Sequence, residues 1–230
     1  MRVVSLNCSN TEIVCALGCA GSLVGVDSDS DYPADVVAAL PRVGRDLDIE
    51  IDKVVALKPD LVLASLTVPG HEKVIANLER AGLPYLAPEP VSLQDVYSDI
   101  RQIATALNVS NTAERVVDEM NSVLKSVEPN ERPSILVQWW PKPVIAPGRL
   151  SWTHDLIQLA GGDNPLGEEN VKSRPLNDDE VVDLNPDIIV MSWCGVQPEK
   201  YRAEVIYRNP AFADVSAVQN QRVFTVPEAS

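Results

Sequence analysis

A segment of this chain recurs without a gap in its second half, and that duplication restricts the fold more than any other feature. Asp52-Lys53-Val54-Val55-Ala56-Leu57-Lys58-Pro59-Asp60-Leu61-Val62-Leu63-Ala64-Ser65 aligns with Asp179-Glu180-Val181-Val182-Asp183-Leu184-Asn185-Pro186-Asp187-Ile188-Ile189-Val190-Met191-Ser192. Each copy reads as an amphipathic helical turn carrying Val-Val-x-Leu on one face, a Pro-Asp break, and an unalternating apolar run of the kind found in strands covered on both faces. The same alignment continues into the next loop, where Glu72-Lys73 falls on Glu199-Lys200. Upstream, each half opens as strand, loop and helix: Val3 to Leu6 before Asn10-Thr11-Glu12, and Ile135 to Val137 before Trp152-Thr153-His154. Thr11 and Thr153 are the expected N-caps, and Gly18 or Gly21 and Gly161-Gly162 the expected stops. Strands alternating with helices predict an α/β protein of two Rossmann-like lobes, each with a parallel sheet and right-handed crossovers.

Between the halves, Leu93, Val96, Ile100, Ile103 and Leu107 recur at helical spacing, and after a break around Asn108 to Asn111 so do Ala113, Val116, Val117, Met120, Val123, Leu124 and Val127. The second of these segments is long enough to serve as a backbone helix joining the lobes, with an ordinary crossover helix as the alternative. The expected organisation is an N-terminal lobe at 1–90, linking helices at 91–130 and a C-terminal lobe at 131–230.

Composition removes several function classes. A formal net charge of −14 repels phosphate backbones and anionic headgroups, so nucleic acid is not an expected partner. No apolar run approaches the ~20 residues that span a bilayer. Met1-Arg2 leads directly into an apolar strand instead of a leader; the expected compartment is periplasmic or extracytoplasmic if Met1 is not the native start, and cytoplasmic if it is. Cys15 and Cys19 are expected on one helix, a poor disulfide geometry, and the four cysteines read as small buried thiols. With two histidines, His71 and His154, and no C-x-x-C, no metal site is expected. Gly18 to Gly25 lacks both the dinucleotide order and the P-loop lysine. The acidic cluster Asp29, Asp31, Asp46, Asp48 and Glu50 reads as solvated loop, and Cys8 with His154 has no catalytic signature, so no enzyme activity is expected.

In open parallel sheets ligands collect at the carboxyl ends of the strands. The loops there, 7–10, 27–33, 44–48, 65–71, 139–152 and 192–198, contain all four tryptophans, Trp139, Trp140, Trp152 and Trp193, together with Tyr32. Aromatic faces suit a broad, partly planar ligand, although a single tryptophan can equally plug a core. The duplicated Glu72 and Glu199 put one carboxylate at the start of each following helix. Such a group either stabilises the helix end or docks on arginines of a two-fold membrane partner.

Ser5-Leu6-x-x-Ser9-x-Thr11-Glu12-Ile13, Leu23-Val24-Gly25-Val26, Asp31-Tyr32-Pro33, Val43-Gly44, the Val55 to Val62 segment, Ala160-Gly161-Gly162-x-Asn164 and Asn185 to Val190 together resemble the helical-backbone, TroA-like solute-binding proteins of ABC importers, and most of all their cobalamin-binding branch. The resemblance covers nearly the whole chain. It implies two lobes on a rigid backbone helix, a monomer without catalysis or cofactor, and a corrinoid held between the lobes and delivered to a permease dimer. Carried over by position, Ser9, Asn10, Thr11 and Tyr32 line the ligand site, Trp139 and Trp152 face it from the second lobe, and Glu72 is the docking glutamate, with Glu199 as its counterpart; from their loops, Arg45, Asp46 and Trp193 are further expected ligand contacts. Two departures stand out. Asp46 occupies the place of a stacking tryptophan, with Arg45 beside it, and members usually continue past the Val223 to Val226 strand into a closing helix, so this sequence is expected to be either truncated at Ser230 or short in its second lobe. A ferric siderophore or haem carrier, using Arg45, Arg149 and Arg174, and a cytosolic corrinoid-processing protein are the alternatives.

Overall fold

The computed structural model describes residues 1–193, 196 and 200–226. Chain contacts divide it into two units, one of residues 1–90 and 95–123, the other of 91–94 and 124–230.

In the first unit, β1 (Val3–Ser5) leads to α1 (Cys8–Ala16), β2 (Leu23–Val26), the short α2 (Ala34–Val37), a hairpin of β3 (Gly44–Arg45) and β4 (Asp48–Ile49), then α3 (Ile51–Ala56), β5 (Leu61–Leu63), α4 (His71–Arg80) and β6 (Tyr85–Leu86). The four principal strands form a parallel sheet in the order β2-β1-β5-β6. Val4, Leu6, Val62 and Ala64 bury one face of it against Val54, Val74 and Leu78 of the crossover helices. Helices α5 (Leu93–Ala106) and α6 (Ser110–Val123) follow, and the expected break between them falls at 107–109. Residues 95–123 of this pair pack with the first unit.

In the second unit come β7 (Ile135–Gln138), β8 (Trp140–Pro141), β9 (Val144–Pro147), α7 (Trp152–Leu159), β10 (Ser173–Leu176), α8 (Asp178–Leu184), β11 (Ile188–Met191), α9 (Glu204–Tyr207), α10 (Ser216–Gln219) and β12 (Val223–Thr225). Strands β12-β11-β7 are parallel, as expected. The segment 139–152, expected as loop, holds instead two strands of an antiparallel β10-β9-β8 sheet. Its strands are too short, and too rich in proline, to carry a period-two signal.

The duplication is structural down to single bonds. Asp60 Oδ2 accepts from the Arg2 N–H at 2.7 Å, and Asp187 Oδ2 accepts from the Ser134 N–H at 2.9 Å, each fixing the residue that precedes the first strand of its half. The backbone N–H of each aspartate returns the contact to the carbonyl of that same residue. Lys58 and Asn185, which the repeat aligns, both take left-handed backbone, with φ of 49° and 41°. The helix must reverse within two residues there to feed the strand.

Local end signals sit differently from the expectation. Asn7, not Thr11, caps α1 by accepting from the Ser9 N–H, and Ser151, not Thr153, caps α7 by accepting from the Thr153 N–H. The capping residue lies four residues before the expected one in α1 and two residues before it in α7. Because α1 ends at Ala16, Cys19 is outside the helix that carries Cys15. Cys15 and Cys19 are free thiols, half-buried and not fully buried as expected, and Cys194 lies outside the described residues.

Candidate ligand-binding site

Each unit gathers its expected site residues at the carboxyl edge of its parallel strands, where helices begin and backbone donors point outward. In the first unit the loop after β1 is fixed from below. Thr11, fully buried, donates to Ser5 Oγ at 2.8 Å and lies 2.9 Å from Ser30 Oγ. Asn10, also buried, donates through Nδ2 to the Ala64 carbonyl at 2.7 Å. These two side chains, expected to line the ligand site, are engaged inside the fold and tie the β1, β2 and β5 loops together. Ser9 is exposed.

The loop after β2 closes on Asp27. Its carboxylate accepts from the Asp29 N–H at 2.9 Å, the Ser30 N–H at 3.2 Å and the Ser30 hydroxyl, and Arg42 donates to the Asp27 carbonyl at 2.9 Å. Burial raises the Asp27 pKa above the usual carboxylate value, against the lowering effect of its bonds to Ser30 and Asp29. The loop thereby presents Tyr32, 54% exposed, and Asp29, which pairs with Arg45 at 2.8 Å.

The β3-β4 hairpin is held over the neighbouring loop. Gly44 has φ of 111°, and a Cβ there would collide with the Asp48 carbonyl and approach the Glu50 nitrogen at 2.9 Å. Asp46 is bound by His71, and Leu47 lies where a Cβ on Gly70 would touch it at 3.2 Å. His71 itself, expected on an exposed loop, is buried as the first residue of α4. Glu72 beside it is exposed, and its carboxylate accepts from the Gly70 N–H at 2.8 Å, the helix-end contact that the charge pattern allowed. Glu199 lies outside the described residues.

In the second unit the tryptophans separate into two roles. Trp139, directly after β7, stacks on Trp152, the first residue of α7, with ring centroids 5.9 Å apart and planes 26° from parallel. The ring of Trp139 packs against the small cluster of Ile135, Val137 and Ile157, which leaves the pair half-buried. Trp193 was expected to face ligand, and the structure corrects this. It is 6% exposed, stacks on Tyr201 at 5.4 Å, and belongs to the core of Leu136, Ile189, Met191 and Phe212. Strand alternation decides the split, since Trp139 continues the phase of Ile135 and Val137 in one cluster and Trp193 that of Ile189 and Met191 in the core.

The three arginines considered for an anionic ligand also separate. Arg174 is clamped between Glu169 at 2.6 Å and Glu180 at 2.7 Å, and these hydrogen bonds raise its pKa. Arg45 is held by Asp29. Arg149 is exposed, and its side chain makes no ion pair among the described residues. No group of three or more His, Cys, Asp or Glu side chains among the described residues is arranged to hold a metal ion, and no helix among them is long and apolar enough to cross a membrane. The His71 to Asp46 bond and the stacking of Trp139 on Trp152 carry no sequence signal, because they depend on how loops meet, whereas the Asn7 cap is local and the asparagine before the helix was its available sign.

The family profile described as periplasmic binding protein matches residues 3–229. An uncharacterized ABC transporter substrate-binding lipoprotein of Bacillus subtilis is 28% identical over 235 residues, covering 98% of this chain and 72% of that protein. A vitamin B12-binding protein of Vibrio campbellii is 23% identical over 229 residues, covering 98% of this chain and 80% of its own length. Among solved structures, a periplasmic heme-binding protein of Roseiflexus in its apo form superposes with a TM-score of 0.77 at 25% identity, over 98% of this chain and 89% of that one.

Proposed function

Since the chain belongs to the periplasmic binding protein family and is an ABC transporter substrate-binding protein, we propose that its cargo is cobalamin or a related corrinoid, which it delivers to a permease from an extracytoplasmic position. The observation that carries this reading is the stacked Trp139 and Trp152 pair at the carboxyl edge of the second unit, which offers an aromatic face to a broad, flat ring. Vitamin B12-binding proteins among the relatives support it. Tyr32 and Ser9, both exposed in the first unit, are the polar contacts assigned to the cargo. Glu72 is proposed to dock on an arginine of the permease, with Glu199 as its partner position. The chain works as a monomer and needs no catalytic cofactor.

Arg149 favours a second reading. An exposed guanidinium near Trp152 in sequence, with no ion pair among the described residues, suits the carboxylates of haem or the anionic groups of a ferric siderophore. Calorimetric titration with cyanocobalamin, haemin and a ferric catecholate separates the two. One-to-one binding of cyanocobalamin at about 1 μM or tighter supports the corrinoid. Preferential binding of haemin or the siderophore, lost on Arg149→Ala, replaces it with the second reading.

A further inference from the structure

Apart from the aromatic pair, the second unit contains a concavity of about 320 Å³ whose walls combine two cations with an apolar lining. Lys142 enters it from the turn between β8 and β9, and Arg208 from the end of α9. Both are exposed, and neither side chain makes an ion pair among the described residues. Arg45, Lys53, Arg101, Arg115, Arg132 and Arg174 are paired with carboxylates, while other exposed cations such as Arg149 are not; what sets Lys142 and Arg208 apart is that both line one partly apolar concavity.

Asp178 lines the same concavity, yet its carboxylate takes a hydrogen bond from Asn209 Nδ2 at 3.2 Å and lies beyond salt-bridge distance of both cations. Val205 and Pro210 supply apolar wall and Phe212, 3% exposed, the base. The volume is at the lower end of the ~300–1,000 Å³ typical of small-molecule sites, too small for a corrinoid or haem.

We propose that this concavity is a second site, which binds a small organic monocarboxylate with an apolar body. The carboxylate sits between Lys142 and Arg208, where charge-assisted hydrogen bonds are strongest. The apolar body covers Val205, Pro210 and Phe212. The charge balance of the walls, two cations against Asp178, suits one negative charge and disfavours a phosphate dianion, which Asp178 repels. The site is independent of the cargo reading, because none of its residues is assigned to cargo.

The test follows backbone amide shifts in an NMR titration of the full chain with benzoate, with benzyl alcohol as the neutral analogue and inorganic phosphate as the bare anion. Saturable benzoate shifts centred on Lys142 and on Val205 to Asn209, in the millimolar range or tighter, are expected, with benzyl alcohol and phosphate each at least about tenfold weaker. Arg208→Glu and Lys142→Glu should each weaken benzoate at least about tenfold while leaving the affinity for cyanocobalamin, or for whichever cargo binds, unchanged. Both are exposed positions, so the fold tolerates the reversal, and unchanged amide spectra away from the site verify it. Shifts that do not saturate, equal responses to benzoate and benzyl alcohol, or a benzoate response that survives both reversals and disappears with Trp139→Ala would overturn the proposal.

Discussion

His71 Nε2 and Asp46 Oδ1 lie 2.7 Å apart, joining a buried imidazole to a residue of the β3-β4 hairpin with φ of 30°. The Val68 N–H donates to Nδ1 on the other side of the ring at 3.3 Å, so the proton of the imidazole sits on Nε2 and is donated to the carboxylate. One side chain thus ties two loops at the carboxyl edge of the first unit, and its effect on stability is cooperative with that of Asp46. His71→Ala and Asp46→Ala should each cost about 1–2 kcal/mol, and the double variant about as much as His71→Ala alone. Urea denaturation of the three variants measures this. Costs that simply add would mean that the two side chains act independently.

Asp99 of α5 is buried and one of its carboxylate oxygens has no partner among the described residues. Burial, with a smaller contribution from Asp95, raises its pKa to about 6. Between the ordinary value of 3.8 and about 6 the folded chain therefore binds more protons at this group than the unfolded chain, so the group lowers stability as pH rises through that window. Asp99→Asn should be more stable than the parent at neutral pH by on the order of 1–3 kcal/mol, with the gap closing as the solution is acidified toward pH 4. Thermal unfolding of both proteins across this range is the measurement. A gap that stays constant with pH would show that the charge is not the cause.

The stacked Trp139 and Trp152 should report on cargo directly. A coloured ligand lying on this pair quenches their emission at saturation, and Trp193, inside the core, with the exposed Trp140, contributes a residual signal that a Trp140→Phe, Trp193→Phe background removes. Trp152→Ala should weaken cargo binding roughly tenfold, the order expected for losing one aromatic face. Quenching that persists undiminished in a Trp139→Phe, Trp152→Phe double variant would locate the cargo elsewhere.

Helix α8 starts with a reciprocal cap. Asn177 accepts from the Glu180 N–H at 2.9 Å and Glu180 accepts from the Asn177 N–H at 2.9 Å, while Arg174 holds the other oxygen of Glu180. Asn177→Ala should lower stability by about 1 kcal/mol. Arg174→Met should cost a similar amount and make the loss from Asn177→Ala larger, since Glu180 then has no second anchor. Chemical denaturation of the single and double variants decides whether the two contacts are coupled.

The fold was legible because its signals are local and occur twice. The Val-Val-x-Leu face, the Pro-Asp break and the apolar run state helix, turn and buried strand within a few residues, and both copies fold into the expected elements around Asp60 and Asp187. The site was legible only as a set of loops. Tyr32, Trp139 and Trp152 sit at strand ends as expected, but the sequence does not reveal that Asn10 donates across to Ala64 or that Arg174 is held by two glutamates.

What the sequence alone determined, then, is the α/β architecture, the parallel sheets and the loops that close them, because periodicity and turn chemistry act over neighbouring residues. Which side chains in those loops remain available was decided by tertiary structure. Thr11 reaches Ser30, His71 reaches Asp46, and Trp193 turns into the core while Trp139 turns toward Trp152. A polar group enclosed by the fold must find a partner and an aromatic ring must pack, and the partner it finds depends on which distant loop the chain brings beside it.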